Sequence, residues 1–271
     1  MVPVPPLTPD MAAKVVPSVR PAFVYERSRA RTGIEGPMSG VRGRTCLIAA
    51  ADGGAPRAAA LATVAGMNLV DAVSLRSRRR KFRLFLEEMR PTEDTTVLDV
   101  GADEVGFGDQ GGQTGCTTHN FFEELYPWRS RVTAVGLHDG AGFRVAYPEI
   151  HYVQADGCAL PFRDGEFDLY FSNAVIEHVG RADRQRAFVA DAVRVSRRVF
   201  LTTPNRWFPI ELHTRLPVVH WLPDPAAHRV YDLARKPWAK ENHLLGPAGL
   251  RALFPVPVRI VNLGMTLAAI T

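Results

Sequence analysis

From residue 95 onward, short runs rich in β-branched and aromatic residues alternate with longer stretches of helical spacing. Strands that alternate with helices imply right-handed crossovers and a parallel sheet covered on both faces. Two final runs flank Gly264 and predict an antiparallel hairpin. The sequence therefore predicts an α/β fold, a doubly wound seven-stranded sheet of five parallel strands plus a C-terminal antiparallel hairpin. The predicted strands are 96–100, 131–137, 151–154, 167–171, 198–203, 258–263 and 265–270, and helices are predicted at 118–126 and 181–194.

The N-terminal third of the chain differs from the rest in charge and pattern. Residues 1–90 carry 15 Lys and Arg against 7 Asp and Glu, whereas residues 91–271 carry 18 against 21. The net charge of +5 therefore describes the front of the chain. Residues 1–75 are predicted as an N-terminal extension, partly irregular with one helix at 57–75. Residues 76–271 are predicted as the main domain, in which the segment 204–246, here called the insertion, forms a substrate lid.

The sharpest basic segment, here called the basic run, is RSRRRKFR at Arg76–Arg83. It could bind phosphate on a nucleic acid, a coenzyme or a membrane surface. The favoured interpretation is a solvated helix face, because Phe82, Phe85, Leu86 and Met89 follow at helical spacing and would pack inward. Nucleic acid is accordingly not expected as a partner.

The sequence favours a cytoplasmic location. Its three cysteines are an odd number without clustered spacing, which is typical of a reduced compartment. The chain opens with prolines rather than with a basic and then apolar leader. The apolar stretch 57–75 is short for a membrane span once its polar residues are counted, so no span is expected.

A glycine-rich stretch follows the first predicted strand. Gly106-x-Gly108-x-x-Gly111 spells a dinucleotide fingerprint, but that fingerprint needs its first glycine at the end of the strand. Asp103 and Asp109 would also repel a pyrophosphate. The loop therefore suits a cationic or neutral ligand, and a nicotinamide cofactor is the less favoured alternative.

Residues 154–179 read QADGCALPFRDGEFDLYFSNAVIEHV, and residues 97–101 read VLDVG. This combination resembles the class I S-adenosylmethionine-dependent methyltransferases, specifically the type 11 small-molecule group, over roughly residues 80–271. The resemblance implies S-adenosylmethionine as cofactor. It also implies methyl transfer to a small molecule such as a sugar, a polyketide or another secondary metabolite, with oxygen as the expected acceptor.

The resemblance also implies roles for residues at the strand ends. Asp99 and Gly101 would hold the methionine end of the cofactor, and Asp156 would accept the adenine amino group. A carboxylate after a strand is a good acceptor for an exocyclic N–H, although the alternative role for Asp156 is that of a turn former. The full expected cofactor-binding set is Asp99, Gly101, Ala102, Asp103, Leu137, Asp139, Asp156, Gly157, Cys158, Ser172 and Asn173.

Two positions depart from the pattern of this group. Gly101 is followed by Ala102 and Asp103 instead of continuing a compact D-x-G-x-G. The acidic residue expected at the end of the second strand, which would bind both ribose hydroxyls, is replaced by Gly136. Asp139, or less favourably His138, could reach in from further along the chain.

The expected catalytic residues are Glu177, His178 and His213. Glu177 and His178 are predicted at the start of the helix after the fourth strand, near the transferred methyl group. One of the three could act as the base for a hydroxyl acceptor. The alternative is that Glu177 positions a loop and His178 packs. No metal is expected, because the spacings between His213, His220, His228 and His243 match no compact ligand motif.

Three alternative functions stay open at this point. The first is an RNA- or ribosome-directed methyltransferase that grips phosphate with the basic run. The second is a nicotinamide-binding relative of the fold, and the third is a non-catalytic relative. A homo-oligomer formed through the N-terminal extension is also compatible with the sequence.

Overall fold

The structure is a computed structural model that describes residues 69–103 and 120–271. Seven strands and six α-helices lie in these two ranges. Short 3₁₀ helices occur at Arg129–Arg131, Val219–Trp221 and Pro237–Glu241. The α-helices are α1 (Leu69–Met89), α2 (Phe121–Leu125), α3 (Ala141–Ala146), α4 (Ala182–Val195), α5 (Asp224–Leu233) and α6 (Pro247–Ala252). The strands are β1 (Val97–Val100), β2 (Val132–Gly136), β3 (His151–Gln154), β4 (Phe167–Asn173), β5 (Ser196–Pro204), β6 (Arg259–Asn262) and β7 (Thr266–Ile270).

The strands form one sheet in the order β3-β2-β1-β4-β5-β7-β6. The first five strands are parallel, and β7 runs antiparallel between β5 and β6. Val97 of β1 pairs with Val132 of β2 on one side and with Leu169 of β4 on the other. The strand order thus reverses direction between β1 and β4, which is where such sheets bind ligands. The predicted α/β fold with its terminal hairpin is confirmed.

Aromatic side chains fill one face of the sheet under α1 and α2. The ring of Phe85 in α1 contacts Phe122, Phe171 and Phe200 edge-on, each at a centroid distance of 5.4 Å. All four side chains are 0–1% exposed. Edge-to-face pairs add to the burial energy of the rings, so α1 is fixed firmly against β4 and β5.

The opposite face of the sheet packs against α4. Alternate residues of a strand point to opposite faces, so Tyr170 and Leu201 lie on this side while their neighbours face α1. Phe188 and Val189 of α4 are fully buried against them. The sheet is therefore covered on both faces, as its continuous apolar strands require.

The insertion follows β5 and carries a small hydrophobic cluster of its own. Val219, Ala227, Tyr231 and Ala239 are buried together there. Two of these residues come from α5, which begins just after Pro223. The segment therefore has internal packing that holds its shape, as a preformed cover over a site would need; its role as a lid stays a prediction.

The prediction that Glu177 and His178 begin a helix is wrong. Residues 174–181 form turns, and α4 begins only at Ala182. Ala174 has φ +57° and Gly180 has φ +115°, and neither value is compatible with a continuous right-handed helix. The local sequence favours helix by composition, but these two backbone conformations hold the segment in a loop.

The basic run lies within α1, and the interpretation as a wholly solvated face is wrong at one position. Arg76, Arg79, Arg80 and Arg83 are exposed, but Lys81 is only 6% exposed. Its ammonium group is turned toward polar side chains at the end of β4. The predicted inward packing of Phe85 and Met89 in the same helix is confirmed, since both are buried.

Several expectations fall on residues that the structure does not describe. For the predicted helix 57–75, only the part from Leu69 is described, and there α1 crosses the predicted domain boundary at residues 75 and 76. The glycine motif at 106–111 and the start of the predicted helix 118–126 lie outside the described residues. Within the described ranges, no helix is long and apolar enough to cross a membrane.

Candidate active site

The backbone turns sharply at the end of β1. Gly101 has φ +112°, and a Cβ added there would lie 2.1 Å from the Val175 side chain. The N–H groups of Gly101 and Ala102 both donate to the Val135 carbonyl of β2, at 2.9 and 3.0 Å. Only glycine allows this turn, which leaves Gly101 exposed at the carboxyl edge of the sheet.

Gly136 at the end of β2 explains the missing acidic residue. A Cβ there would lie 2.3 Å from the Tyr152 hydroxyl and 2.5 Å from the Ala102 carbonyl oxygen. The Tyr152 hydroxyl donates to the His138 carbonyl at 3.0 Å and so fills the space. No side chain fits at position 136, and the residues that follow must present the polar groups of this edge.

Leu137 and Asp139 follow Gly136 on the exposed edge. The Leu137 side chain is 65% exposed. Asp139 uses Oδ1 to accept the N–H of Ala141 at 3.1 Å, at the start of α3. The edge thus offers an apolar surface beside an exposed carboxylate, a mixture that suits a nucleoside.

Asp156 lies in the loop after β3, where two donors hold its carboxylate. Oδ1 accepts the N–H of Cys158 at 2.9 Å, and Oδ2 accepts the Arg184 guanidinium at 2.7 Å. Burial alone would raise the pKa of Asp156, but these two donors lower it below its usual value. The residue is thus both a turn former and a fixed anionic acceptor. Arg184, which sequence reasoning missed, comes from the exposed face of α4.

Gly157 and Cys158 complete this loop. A Cβ on Gly157 would lie 2.6 Å from the Phe188 ring, so the loop runs directly over α4. Burial, together with the Asp156 carboxylate, raises the pKa of Cys158 to about 11, which keeps its sulfur in the thiol form. The structure places these residues beside Asp156, as the sequence order requires.

Two carboxyl groups share a buried site beneath the end of β1. Asp99 and Glu123 are 5% and 1% exposed. Burial raises the pKa of Asp99, and the neighbouring Glu123 raises it further; burial also raises the pKa of Glu123. Two buried carboxyl groups in contact retain a proton between them. Asp99 is thus a buried acid next to a second buried acid, and Glu123 is a partner that the sequence did not reveal.

Asp103 is tied to Asn120 through its backbone. The Asp103 N–H donates to Asn120 Oδ1 at 2.9 Å, and Asn120 Nδ2 donates to the Asp103 carbonyl at 2.8 Å. These paired bonds join the two residues that flank the undescribed stretch 104–119. They fix the distance between its ends next to the carboxyl edge of the sheet.

Ser172 and Asn173 end β4, and only Asn173 is open to the edge. Ser172 is fully buried and donates its hydroxyl to the Val100 carbonyl at 2.8 Å. Asn173 Oδ1 accepts both the Lys81 ammonium and the Thr202 hydroxyl. Burial, aided by Arg78, lowers the pKa of Lys81 to about 8. Lys81 therefore brings α1 to the end of β4.

Glu177, His178 and His213, here called the His–Glu cluster, meet at one point. His178 Nε2 and His213 Nε2 are 3.2 Å apart. Glu177 Oε1 lies 3.8 Å from the former and 3.7 Å from the latter. The three expected catalytic residues are thus brought together from the turn after β4 and from the insertion. His213, in the insertion, lies 35 residues after His178 in the sequence.

Glu177 is completely buried and its backbone is anchored. Its carbonyl accepts the N–H of His243 at 2.8 Å, and Oε2 accepts the Thr203 hydroxyl at 3.0 Å. Burial raises the pKa of Glu177, and His213 and Lys81 offset part of the rise. Oε1, which faces the two histidines, has no hydrogen-bond partner among the described residues.

Glu211 orients His213 from behind. Its Oε1 lies 2.7 Å from His213 Nδ1, so Nδ1 carries the proton and Nε2 faces the cluster. Burial opposes ionisation of Glu211, but hydrogen bonds from His213 and Thr214 lower its pKa to about 2. Burial would lower the pKa of His213, but Glu211 and Glu177 outweigh it and raise that pKa above the usual value. Glu211 is a positioning residue that sequence reasoning missed, although the E-x-H spacing was visible.

The other histidines of the insertion lie apart from the His–Glu cluster. His220 is buried, with Nε2 against the Phe208 carbonyl at 3.0 Å. His243 contributes its backbone to Glu177. The histidines at 213, 220, 228 and 243, whose spacing matches no compact metal-ligand motif, do not form a cluster in the described residues.

Comparison with known proteins supports the class of this fold. A family model described as a methyltransferase domain matches residues 113–198, a stretch that includes β2, β3, β4 and α4 and excludes β1. Residues 113–198 thus match a methyltransferase domain, and over that stretch the resemblance seen in the sequence, which implies S-adenosylmethionine as cofactor, is confirmed. The comparison with curated protein sequences found no significant match.

Solved structures of methyltransferases are similar over most of the chain. A methyltransferase from Aquifex aeolicus has a TM-score of 0.41 and 12% identity, and the match covers 70% of this chain and 88% of that one. The N-methyltransferase NodS from Bradyrhizobium japonicum, in complex with S-adenosylhomocysteine, has a TM-score of 0.44 and 14% identity over 71% and 85%. The assignment rests on the family model.

The described edge of the sheet fits the cofactor that this class uses. Gly101 leaves room above the end of β1 that a Cβ would fill, and the exposed Leu137 and the ionised Asp156 lie along the same edge. S-adenosylmethionine supplies a methyl group activated by a sulfonium. The residues at this edge have the apolar and acceptor groups that a nucleoside requires.

Proposed function

We propose that this enzyme methylates a hydroxyl group of a small molecule, such as a sugar, a polyketide or another secondary metabolite, in the cytoplasm. The observation that carries the proposal is the His–Glu cluster, because a hydroxyl acceptor must lose its proton whereas the cofactor supplies only the methyl group. The two imidazole Nε2 atoms face each other at 3.2 Å, and His178 is open to solvent. An acceptor hydroxyl can reach the cluster from that side.

The cofactor-binding roles follow from the edge of the sheet. We propose that Asp156 accepts the adenine amino group and that Leu137 packs against the base. Asp139 is the proposed partner of the ribose hydroxyls, since position 136 has no room for a side chain. Asp99, Gly101, Ala102 and Asp103 are proposed for the methionine end, Gly157 and Cys158 for the adenine pocket, and Asn173, held in place through the buried Ser172, for the sulfonium end.

The proposed roles follow from the hydrogen-bonding groups that each side chain has left for a ligand. The Asp156 carboxylate has lone pairs left after its bonds to Cys158 and Arg184. Asn173 has its amide N–H₂ group available at the end of β4, since its Oδ1 is used by Lys81 and Thr202. The Ser172 hydroxyl is donated to Val100, so its proposed contribution is to fix β4 against β1.

The proton of the acceptor has a defined destination in this proposal. His213 Nε2 is the proposed acceptor of that proton, because Glu211 holds Nδ1–H and raises the basicity of the ring. His178 positions the hydroxyl from the solvent side. The negative charge of the Glu177 carboxylate beside both rings stabilises the imidazolium that forms.

The test is an acceptor panel with the purified full-length chain. S-adenosylhomocysteine formation is measured with matched small molecules that carry a hydroxyl, an amine or a thiol. We expect turnover with hydroxyl acceptors and its loss in His213→Ala. Turnover confined to amines, or equal turnover in His213→Ala, would contradict the proposal.

Two further parts of the proposal concern the rest of the chain. A reduced location agrees with Cys158, a thiol whose raised pKa makes it unreactive. Self-association through residues 1–75 is proposed from the sequence, and sedimentation of the full chain against a chain that begins at residue 69 tests it. The same number of chains per particle in both samples would contradict the proposed self-association.

A further inference from the structure

We propose that Glu177, His178 and His213 bind one divalent transition-metal cation, with zinc as the best match. Each contributes one ligand atom, and the three atoms lie within 4.8 Å of one another. Two imidazoles and one carboxylate, with a further position open, form a ligand set that catalytic zinc sites use. No spacing in the sequence indicates this site, because two ligands are adjacent and the third is far along the chain.

The distances between the ligand atoms fit a tetrahedral ion. Bonds of about 2.0–2.1 Å place tetrahedral ligands about 3.3 Å apart and octahedral ligands about 2.9 Å apart. The Nε2 atoms of His178 and His213 are 3.2 Å apart, and Glu177 Oε1 lies 3.8 and 3.7 Å from them. A small inward movement of the Glu177 carboxylate would complete three tetrahedral positions.

The buried oxygen of Glu177 calls for a partner. Its side chain is 0% exposed, and within the part of the chain that the structure describes Oε1 has no hydrogen-bond partner, while Oε2 accepts from Thr203. A buried carboxylate oxygen without a partner costs free energy, and a cation at the centre of the His–Glu cluster removes that cost. This orphaned oxygen is an observation independent of the two histidines.

The surroundings of His213 resemble the support of a metal ligand. Ligating histidines usually donate their other ring N–H to a carboxylate, which fixes the tautomer and strengthens the ligand. Glu211 accepts His213 Nδ1–H at 2.7 Å and is itself held by the N–H groups of His213 and Thr214. The Nε2 lone pair therefore points into the cluster without rearrangement.

The open position gives the cation a chemical role. The His178 side chain is 45% exposed, so the fourth position is accessible from solvent. With the cation bound, the lone pair of His213 Nε2 is used as a ligand, so the cation replaces His213 in removing the acceptor proton: it would lower the pKa of a bound hydroxyl, whose proton would go to water. This role rests on the proposed methylation of a hydroxyl, whereas metal binding itself does not.

The experiment is a calorimetric titration of the full-length, chelator-treated protein with Zn²⁺. We expect one site per chain. His178→Ala, His213→Ala and Glu177→Gln should each weaken it at least 100-fold, and Glu211→Gln should weaken it 10- to 100-fold. His151→Ala is the matched control, because His151 is an exposed histidine on β3 outside the cluster. His178→Ala removes a half-exposed side chain and is expected to fold, which circular dichroism checks.

A second readout uses Co²⁺, whose visible absorption reports tetrahedral coordination. Intense bands in the wild type and in His151→Ala, absent from His178→Ala, support the site. No stoichiometric binding of either ion, or equal binding by folded His178→Ala and wild type, overturns it. Metal binding without methyl transfer leaves the site standing and refutes the proposed function. Hydroxyl methylation that survives removal of all metal refutes the role of the cation.

Discussion

Asp156→Ala tests the proposed adenine contact most cleanly. A hydrogen bond to a charged group contributes about 1.5–3 kcal/mol. Since about 1.4 kcal/mol is a factor of ten in affinity, the dissociation constant for S-adenosylhomocysteine should rise about 10- to 150-fold. The side chains of Arg184 and Asp156 are 54% and 39% exposed, so the loss of their ion pair should cost less than about 1 kcal/mol of stability.

Calorimetry with S-adenosylhomocysteine measures the affinity, and urea unfolding measures the stability of the same samples. The matched control is Asp164→Ala, which removes a similar pair with Arg194 at the opposite end of β4. It should leave the affinity unchanged. Unchanged affinity in a folded Asp156→Ala would refute the adenine assignment, and equal losses in both variants would show an effect of charge alone.

Three other perturbations test separate parts of the account. His213→Ala should lower kcat at least 100-fold while the affinity for S-adenosylhomocysteine changes less than threefold, and Glu211→Gln should lower kcat about 10-fold; a parallel fall in affinity would contradict this division. Gly136→Asp should destabilise the fold by about 1–3 kcal/mol, measured by urea unfolding, because the new side chain would collide with Tyr152. Tighter cofactor binding without a loss of stability would show that position 136 does have room for a side chain. Burial lowers the pKa of Lys81 to about 8 from 10.5, so between these values the unfolded chain binds more protons than the folded chain, and the free energy of unfolding should rise with pH. From pH 8 to 10.5 the rise should be about 3 kcal/mol in the wild type. The same measurement on Lys81→Met should show no such rise.

The sheet could be predicted because most of its strands contain β-branched and aromatic residues in short runs between turn residues. Phe167–Asn173 and Ser196–Pro204 extend slightly beyond their predicted ends, and His151–Gln154 agrees in full. Helices were harder to locate. Ala141–Ala146 and Pro247–Ala252 are each only six residues long, too short to display a period of 3.6 clearly.

The candidate site was predicted in composition but not in arrangement. The strand-end positions follow from topology, which places Gly101, Asp156 and Asn173 at one edge. Arg184 and Glu123 were missed because their partners are set by helix packing, which no local pattern encodes. The meeting of His213 with Glu177 depends on the path of the insertion, and nothing in the spacing reveals that path.

The central claim is that the chain moves a methyl group from S-adenosylmethionine to a small molecule through the His–Glu cluster. The most direct measurement incubates the full chain with methyl-labelled S-adenosylmethionine and a cell extract, then separates small molecules, RNA and protein. We expect label in the small-molecule fraction with the wild type and almost none with His213→Ala. Label mainly in RNA, or equal labelling by both proteins, would contradict it.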